Sequence, residues 1–193
     1  LWGKLRASHV VNDTGILTES GDTLVDNNGQ RIVGETDPQL SIGANYGAVD
    51  GFPVGVYIND EYWGLYSFTV PKDDVMAKMP KSGKHAIVSS DWEPQGALQA
   101  ETNFKDKMEL EFCSTKDEQW AMDSINTLIR AGLQDDDSTQ DCDNALTPLV
   151  DFDSVYDYYI YSLLIGNVDG IYRNYLLQTF DGKKWYFAAY DLD

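Results

Sequence analysis

DFDSVYDYYIYSLLIG (151–166) followed by NVDGIYRNYLLQTFDGKKWYFAAYDLD (167–193) is the stretch that decides the fold. Phe152, Val155, Tyr156, Tyr159, Ile160, Leu163 and Leu164 step by three and four. That spacing predicts a helix whose core-facing side is this stripe. Asp151 or Asp153 supplies its N-cap and Gly166 its stop. Two apolar runs, NYLLQTF and KKWYFAAYDLD, flank Asp181-Gly182, a two-residue hairpin signal. In an antiparallel hairpin the start of one strand lies beside the end of its partner. Asn174, opening the first strand, is thereby expected near Asp191, closing the second. Asp169 projects from the intervening GNVDGIYR loop toward the same edge.

Working outward, the clearest upstream element is GFPVGVYINDEYWGLYSFTVPK (51–72). Val54, Val56 and Ile58 alternate along one run, Leu65, Phe68 and Val70 lie on the return, and Asn59-Asp60 supplies the turn of a β-hairpin. KDDVMAKMP predicts a short helix stopped by Pro80. HAIVSS and KMELEFC read as strands, with WEPQGALQAETN as a loop between them. A helix follows in which Thr115 to Glu118 has capping-box form, and Trp120, Ile125, Leu128, Ile129 and Leu133 keep helical spacing. LQDDDSTQDCDNA is a charged linker. The first fifty residues read as loops and short strands such as TLVD and QRIVGE. The order is hairpin-rich over 1–113, then helix-rich with a closing hairpin over 114–193. This is an α+β chain, not alternating β-α-β.

Composition sets the outer limits. The 193 residues suit one domain, or a domain cut from something larger, and a hydrophobic fraction of 42% is ample for a core. The missing initial Met, and a stop directly after a strand-like run, predict native sequence on both sides. No apolar run approaches the ~18 residues of a membrane span, and the chain opens without a signal peptide. A cytoplasmic or particle-associated location is expected. Acidic residues outnumber basic ones 32 to 14, a formal charge of −18. Such a surface repels phosphate backbones, which argues against nucleic acid and favours divalent cations and basic partners. Cys113 and Cys142 fit one long-range disulfide or two reduced thiols equally well.

The acids near the end have a chemical use together. Mg²⁺ is a hard cation that takes oxygen ligands from one or two protein groups and completes its shell with water and phosphate. In protein kinases a D-x-x-x-x-N loop supplies the Asp that accepts the substrate proton and the Asn that binds metal. A second Asp beyond a strand-turn-strand holds the metal that bridges the phosphates. Asp169, Asn174 and Asp191 reproduce that order, offset and intervening hairpin. His-Arg before the Asp is replaced by Asn167-Val168, and Phe-Gly after the second Asp by Leu192-Asp193. Taken alone, the short motif is a commonplace of turns in an Asp-rich chain. The whole run of helix, loop, Asn-opened strand, Asp-Gly turn and Asp-closed strand is much rarer.

On two blocks, VGVYINDEYWGLYSFTVPKDD and GNVDGIYRNYLLQ…KWYFAAYDLD, the chain resembles the CotH (spore coat protein H) family of atypical protein-kinase-like proteins. It is similar, less closely, to CotH-like domains attached to phage tail or baseplate proteins. The resemblance implies a protein-kinase-like fold over 1–193, ATP with Mg²⁺, and phosphate transfer to Ser or Thr of a protein. It implies Asp169 as the catalytic Asp, and Asn174 and Asp191 as metal ligands with Asp193 as helper. The phosphate-binding Lys is not singled out. Lys72, Lys105 and Lys107 are candidates, each of which reads on its own as a solvated lysine. Glu111 stands where related sequences often place a Lys, and TVPKDD lacks the Glu that often follows the family's hairpin.

Other features read structurally. Tyr57, Tyr62, Trp63 and Tyr66 are expected to form stabilising cross-strand pairs on the first hairpin. His9 and His85 are isolated, and Asp135-Asp136-Asp137 lacks the spacing of a Ca²⁺ loop. Two rival functions stand beside the kinase: a catalytically inactive module of a phage-like or surface assembly, and a metal-dependent carbohydrate binder resting on aromatics and acids.

Overall fold

The structure, a computed structural model, describes residues 1–7, 27, 38–41, 47–49, 51–90, 108–133, 144–171 and 173–190. Its elements in chain order are helix α1 (Trp2–Ala7), a 3-10 turn (Pro38–Ser41), strands β1 (Gly51–Ile58), β2 (Glu61–Thr69), β3 (Ala86–Ser90) and β4 (Glu109–Cys113), helices α2 (Gln119–Gly132) and α3 (Phe152–Ile165), a second 3-10 turn (Asp169–Ile171), and strands β5 (Tyr175–Thr179) and β6 (Trp185–Ala189). Helices and antiparallel sheets are segregated along the chain, so the class is α+β.

Two sheets form. β1 and β2 make a hairpin of their own. Its turn residues Asn59 and Asp60 both adopt positive φ (50° and 67°), as a tight hairpin turn requires. Of the aromatics expected to pair across the strands, Tyr57 faces Tyr62 with ring centroids 5.2 Å apart, Tyr66 stands opposite Val54, and a further pair not foreseen, Phe52 and Phe68, lies at 5.4 Å. A lone two-stranded sheet is marginally stable. This one is anchored at its base, where Val49 and Val70 pack against the core, while most of its large side chains stay exposed.

The second sheet has strand order β4-β3-β5-β6 with all pairs antiparallel. β3 and β5 are central, and every residue in them is buried. Trp185 at the start of β6 is fully buried and donates its indole N–H to Ser124 Oγ of α2 at 3.0 Å. The segment before α3 is sewn to the same point: Trp185 N–H donates to Leu149 O, and Asp151 N–H to Trp185 O. The start of α3 is therefore fixed to the start of β6. Fourteen residues of helix, about 21 Å long, carry the chain away from that point before the loop turns back into β5.

Several expectations need correction. α3 is capped as read, with Asp151 Oδ1 accepting from Ser154 N–H and Gly166 left-handed at its end. Yet of the apolar stripe only Phe152 and Val155 pack against the core. Tyr156, Tyr159, Ile160, Leu163 and Leu164 are exposed, and Ser154, Asp157, Tyr158, Tyr161 and Ser162 are buried. On the buried side, Asp157 and Ser154 find polar partners on other elements. Asp157 accepts from the fully buried Arg6 of α1 at 3.2 Å, Ser154 Oγ accepts from Phe187 N–H of β6, and Trp2 packs edge-on against Tyr158 and Tyr161. Both stripes share one helical period, so periodicity cannot rank them.

The capping box at Thr115 does not form: Glu118 is the N-cap of α2 and makes no side-chain cap bond. Thr115 Oγ1 instead donates to Asp117 O and accepts the Trp120 indole. Ile125, Leu128 and Ile129 are buried as expected, while Leu133 is exposed at the helix end. Residues 72–78 form successive turns in place of a helix, with Lys78 left-handed (φ 48°). The Asp181-Gly182 connection is longer than two residues, because Thr179 pairs with Trp185. Asp181 Oδ1 gathers the N–H groups of Lys183 and Lys184, and Gly182 takes φ 76°. TLVD, QRIVGE, His9, WEPQGALQAETN, Asp135-Asp136-Asp137 and Cys142 lie outside the described residues; Cys113 is a free thiol. Among the described residues no helix is long and apolar enough to cross a membrane.

Candidate functional site

The β5–β6 ladder ends at the pair Tyr175↔Ala189. Asn174 stands immediately before it on one strand and Tyr190 immediately after it on the other. Asn174 N–H donates to Ser90 O at 2.7 Å, which extends the β3–β5 pairing by one bond. Its φ of 61° is left-handed, a conformation that Asn tolerates better than most residues and one that recurs at functional sites. A bend of this kind ends the strand and starts the loop that leads back to α3.

Asp169 opens the 3-10 turn in that loop and is half exposed. Its Oδ2 accepts from Arg173 Nη2 at 2.5 Å, and Arg173 N–H closes the loop backbone onto Asp169 O at 2.8 Å. Beneath the turn, Asn167 Oδ1 accepts from Gly170 N–H at 2.9 Å. The hydroxyl of Tyr158, rising from α3, donates to Asn174 O at 3.3 Å. Burial pushes that hydroxyl's pKa up to about 12, so it remains a donor at any working pH.

Lys72 is the residue whose environment departs furthest from the sequence reading. It is not a solvated lysine. Its Nζ lies 2.5 Å from Glu111 Oε1 and 4.4 Å from the centroid of the Tyr190 ring, with about a fifth of the side chain exposed. Glu111 Oε1 also accepts from the buried Ser89 Oγ at 2.5 Å. Burial tends to lower the Lys72 pKa, but hydrogen bonding and charge from Glu111 and Tyr190 outweigh it, and the net direction is upward.

Glu111 reaches this position through a β-bulge. Phe112 pairs with Ile87 and Leu110 with Val88, so the register skips Glu111. An extra residue of this kind re-aims its side chain and is common beside active sites. The Lys–Glu pair was missed in the sequence. MELEFC places both Glu109 and Glu111 at alternating positions without distinguishing them, and a bulge leaves no mark in the residue pattern.

Asp169 and Asn174 thus share one loop, and Lys72 is held against Tyr190, the residue that precedes Asp191 in sequence. Asp191, Asp193, Lys105 and Lys107 lie outside the described residues. Among the described residues no three His, Cys, Asp or Glu side chains group as a metal cage. The oxygen-bearing side chains of this end are of the hard type that Mg²⁺ takes in small numbers beside phosphate.

A family model described as CotH kinase protein matches residues 43–193. The chain belongs to this family. The match takes in both hairpins, the bulged strand and the Asp169–Asn174 loop, and so covers every element at the site of this CotH chain. No curated protein matches it.

Proposed function

We propose that this CotH chain is a single kinase-like domain that transfers phosphate from Mg-ATP to Ser or Thr of a protein. The observation that carries the reading is the Lys72–Glu111 pair, held against the residue that precedes Asp191. Protein kinases require a strand Lys tied to a Glu beside the metal-binding Asp. Here the Glu comes from a bulged strand, a different route to the same charge pair.

The roles follow from each group's chemistry. The Asp169 carboxylate takes the proton of the substrate hydroxyl. Lys72, oriented by Glu111, donates to phosphate oxygens, and Lys105 is a second candidate cation. Asn174 and Asp191, with Asp193, are the oxygen donors for Mg²⁺. Mg²⁺ held by these groups would supply charge neutralisation at the phosphates. A formal charge of −18 favours a basic protein substrate.

Thermal unfolding with and without millimolar Mg-ATP tests this, since a ligand at about 100 times its Kd stabilises the folded state by about 2.7 kcal/mol. The expected pattern is a shift in the wild type, loss of that shift in Asp191→Ala, and a retained shift without phosphate transfer in Asp169→Asn. No shift in the wild type would falsify the proposal.

A second reading, a non-catalytic module of a phage-like or surface assembly, is favoured by one observation. The exposed side of α3 and both faces of the β1–β2 hairpin carry large apolar side chains, and contiguous apolar patches mark interaction surfaces. Self-association at micromolar concentration without an Mg-ATP shift supports this reading over the first.

A further inference from the structure

Tyr158 has a position that the kinase reading does not itself require. Its ring is packed on three sides, with centroids 6.4 Å from Trp2 of α1, 6.1 Å from Tyr175 of β5 and 5.6 Å from Phe187 of β6. These contacts leave the hydroxyl little freedom. It donates to Asn174 O at one end of the loop. At the other end it lies so close to Gly170, the neighbour of Asp169, that a Cβ built there would sit 2.9 Å from the Tyr158 oxygen. The same Cβ would sit 2.6 Å from Asn167 Nδ2. Gly170 is thus the residue that lets the loop settle onto the hydroxyl.

We propose that Tyr158 is a positioning residue for phosphoryl transfer, its hydroxyl bonded to Asn174 O and seated against Gly170, the neighbour of Asp169. The proposal rests on the kinase reading of Asp169 and Asn174. The spacing of a proton acceptor from a metal ligand must hold to a fraction of an ångström for in-line transfer, and a displacement of about 1 Å can cost about 100-fold in rate. The loop backbone has its own bonds, Gly170 to Asn167 and Arg173 to Asp169. Both are local, while Asn167 N–H anchors the start of the loop to Ser162 O of α3 at 2.9 Å, and Tyr158 adds a second hold from the same helix at the Asn174 end. Asn174 N–H holds its own residue to Ser90 of β3.

Tyr158→Phe removes the oxygen and keeps the ring packing, which separates positioning from folding. In the full chain, Mg-ATP binding, phosphate transfer to protamine as a basic acceptor, and amide exchange over 167–174 without ligand are measured for wild type and Tyr158→Phe. The expected result is a melting temperature within a few degrees of wild type, a KM for ATP within about twofold, kcat down about 10- to 100-fold, and faster exchange in the loop. Gly170→Ala, which pushes the loop off the hydroxyl, is expected to lower kcat in the same way. A Tyr158→Phe chain with wild-type kcat and unchanged loop exchange overturns the positioning role alone. So does a loss of kcat that only tracks a large fall in melting temperature. A wild-type chain that neither binds Mg-ATP nor transfers phosphate overturns the kinase reading and this role with it.

Discussion

Glu111 receives Lys72 at 2.5 Å from inside a β-bulge, on the same oxygen that takes the Ser89 hydroxyl. Exposed ion pairs contribute little because water screens them and both side chains lose freedom. This pair is mostly withdrawn from solvent and has a third group fixing the acceptor. A double-mutant cycle of Lys72→Met with Glu111→Gln, read by chemical denaturation, is expected to give a coupling of about 0.5–3 kcal/mol. Strict additivity would mean that the pair is a surface contact. Lys72→Met alone is expected to lower kcat/KM about 100-fold or more, the scale seen when one preorganised donor to developing charge is removed.

The pH dependence of stability has an alkaline and an acid arm. Lys72 has its folded pKa raised above 10.5, so its contribution is complete below that pH and disappears as pH rises beyond it. His85 has its folded pKa lowered from 6.5, chiefly by burial and only partly offset by a Ser82 backbone bond and the charge of Asp181. Its neutral form is the one the fold accepts, so its contribution is full above 6.5 and is lost as pH falls below it. Melting temperature against pH should drop more gently on the acid side in His85→Gln than in wild type.

Arg6 is fully buried and bonded to Asp157, with Asp151 a further 3.8 Å contact. Removing one partner of such a pair strands the other charge. Arg6→Ala is expected to destabilise the chain by about 3–5 kcal/mol. Arg6→Lys should recover only part of that, because a point charge does not reproduce the guanidinium fork. Urea midpoints for the three chains check both statements.

On the outer side of α3 the expectation is the reverse. Leu163 and Leu164 are 57% and 65% exposed. Leu163→Gln and Leu164→Lys should change stability by no more than about 0.5 kcal/mol while lowering any self-association seen by sedimentation. A collapse in stability would show that this face is covered in the folded protein.

How much of this could be read in advance varies with the kind of signal. β1–β2 was legible as a hairpin because Asn59-Asp60 between alternating apolar runs names the turn, while the register shift between Val56 and Tyr57 was not. α3 was legible in extent because Asp151 and Gly166 mark its ends locally. Its burial was not, since the side that packs is chosen by Arg6, Trp2 and Phe187, none of them sequence neighbours of the helix. The Thr115 capping box had the right letters, but Trp120 took the threonine hydroxyl instead. Among the site residues, Asp169 and Asn174 were visible as an offset within one loop. Lys72 was visible only as one lysine among several.

The sequence by itself determined the β1–β2 turn, the two ends of α3 and the family, because each of these is written in residues a few positions apart. Tertiary structure alone decided which side of α3 is inside and that Lys72 pairs with Glu111. It also set the Tyr158 hydroxyl under the Asp169–Asn174 loop. Those outcomes depend on groups well separated in sequence meeting within about 3 Å, the range of a hydrogen bond. No local pattern encodes a distance between them.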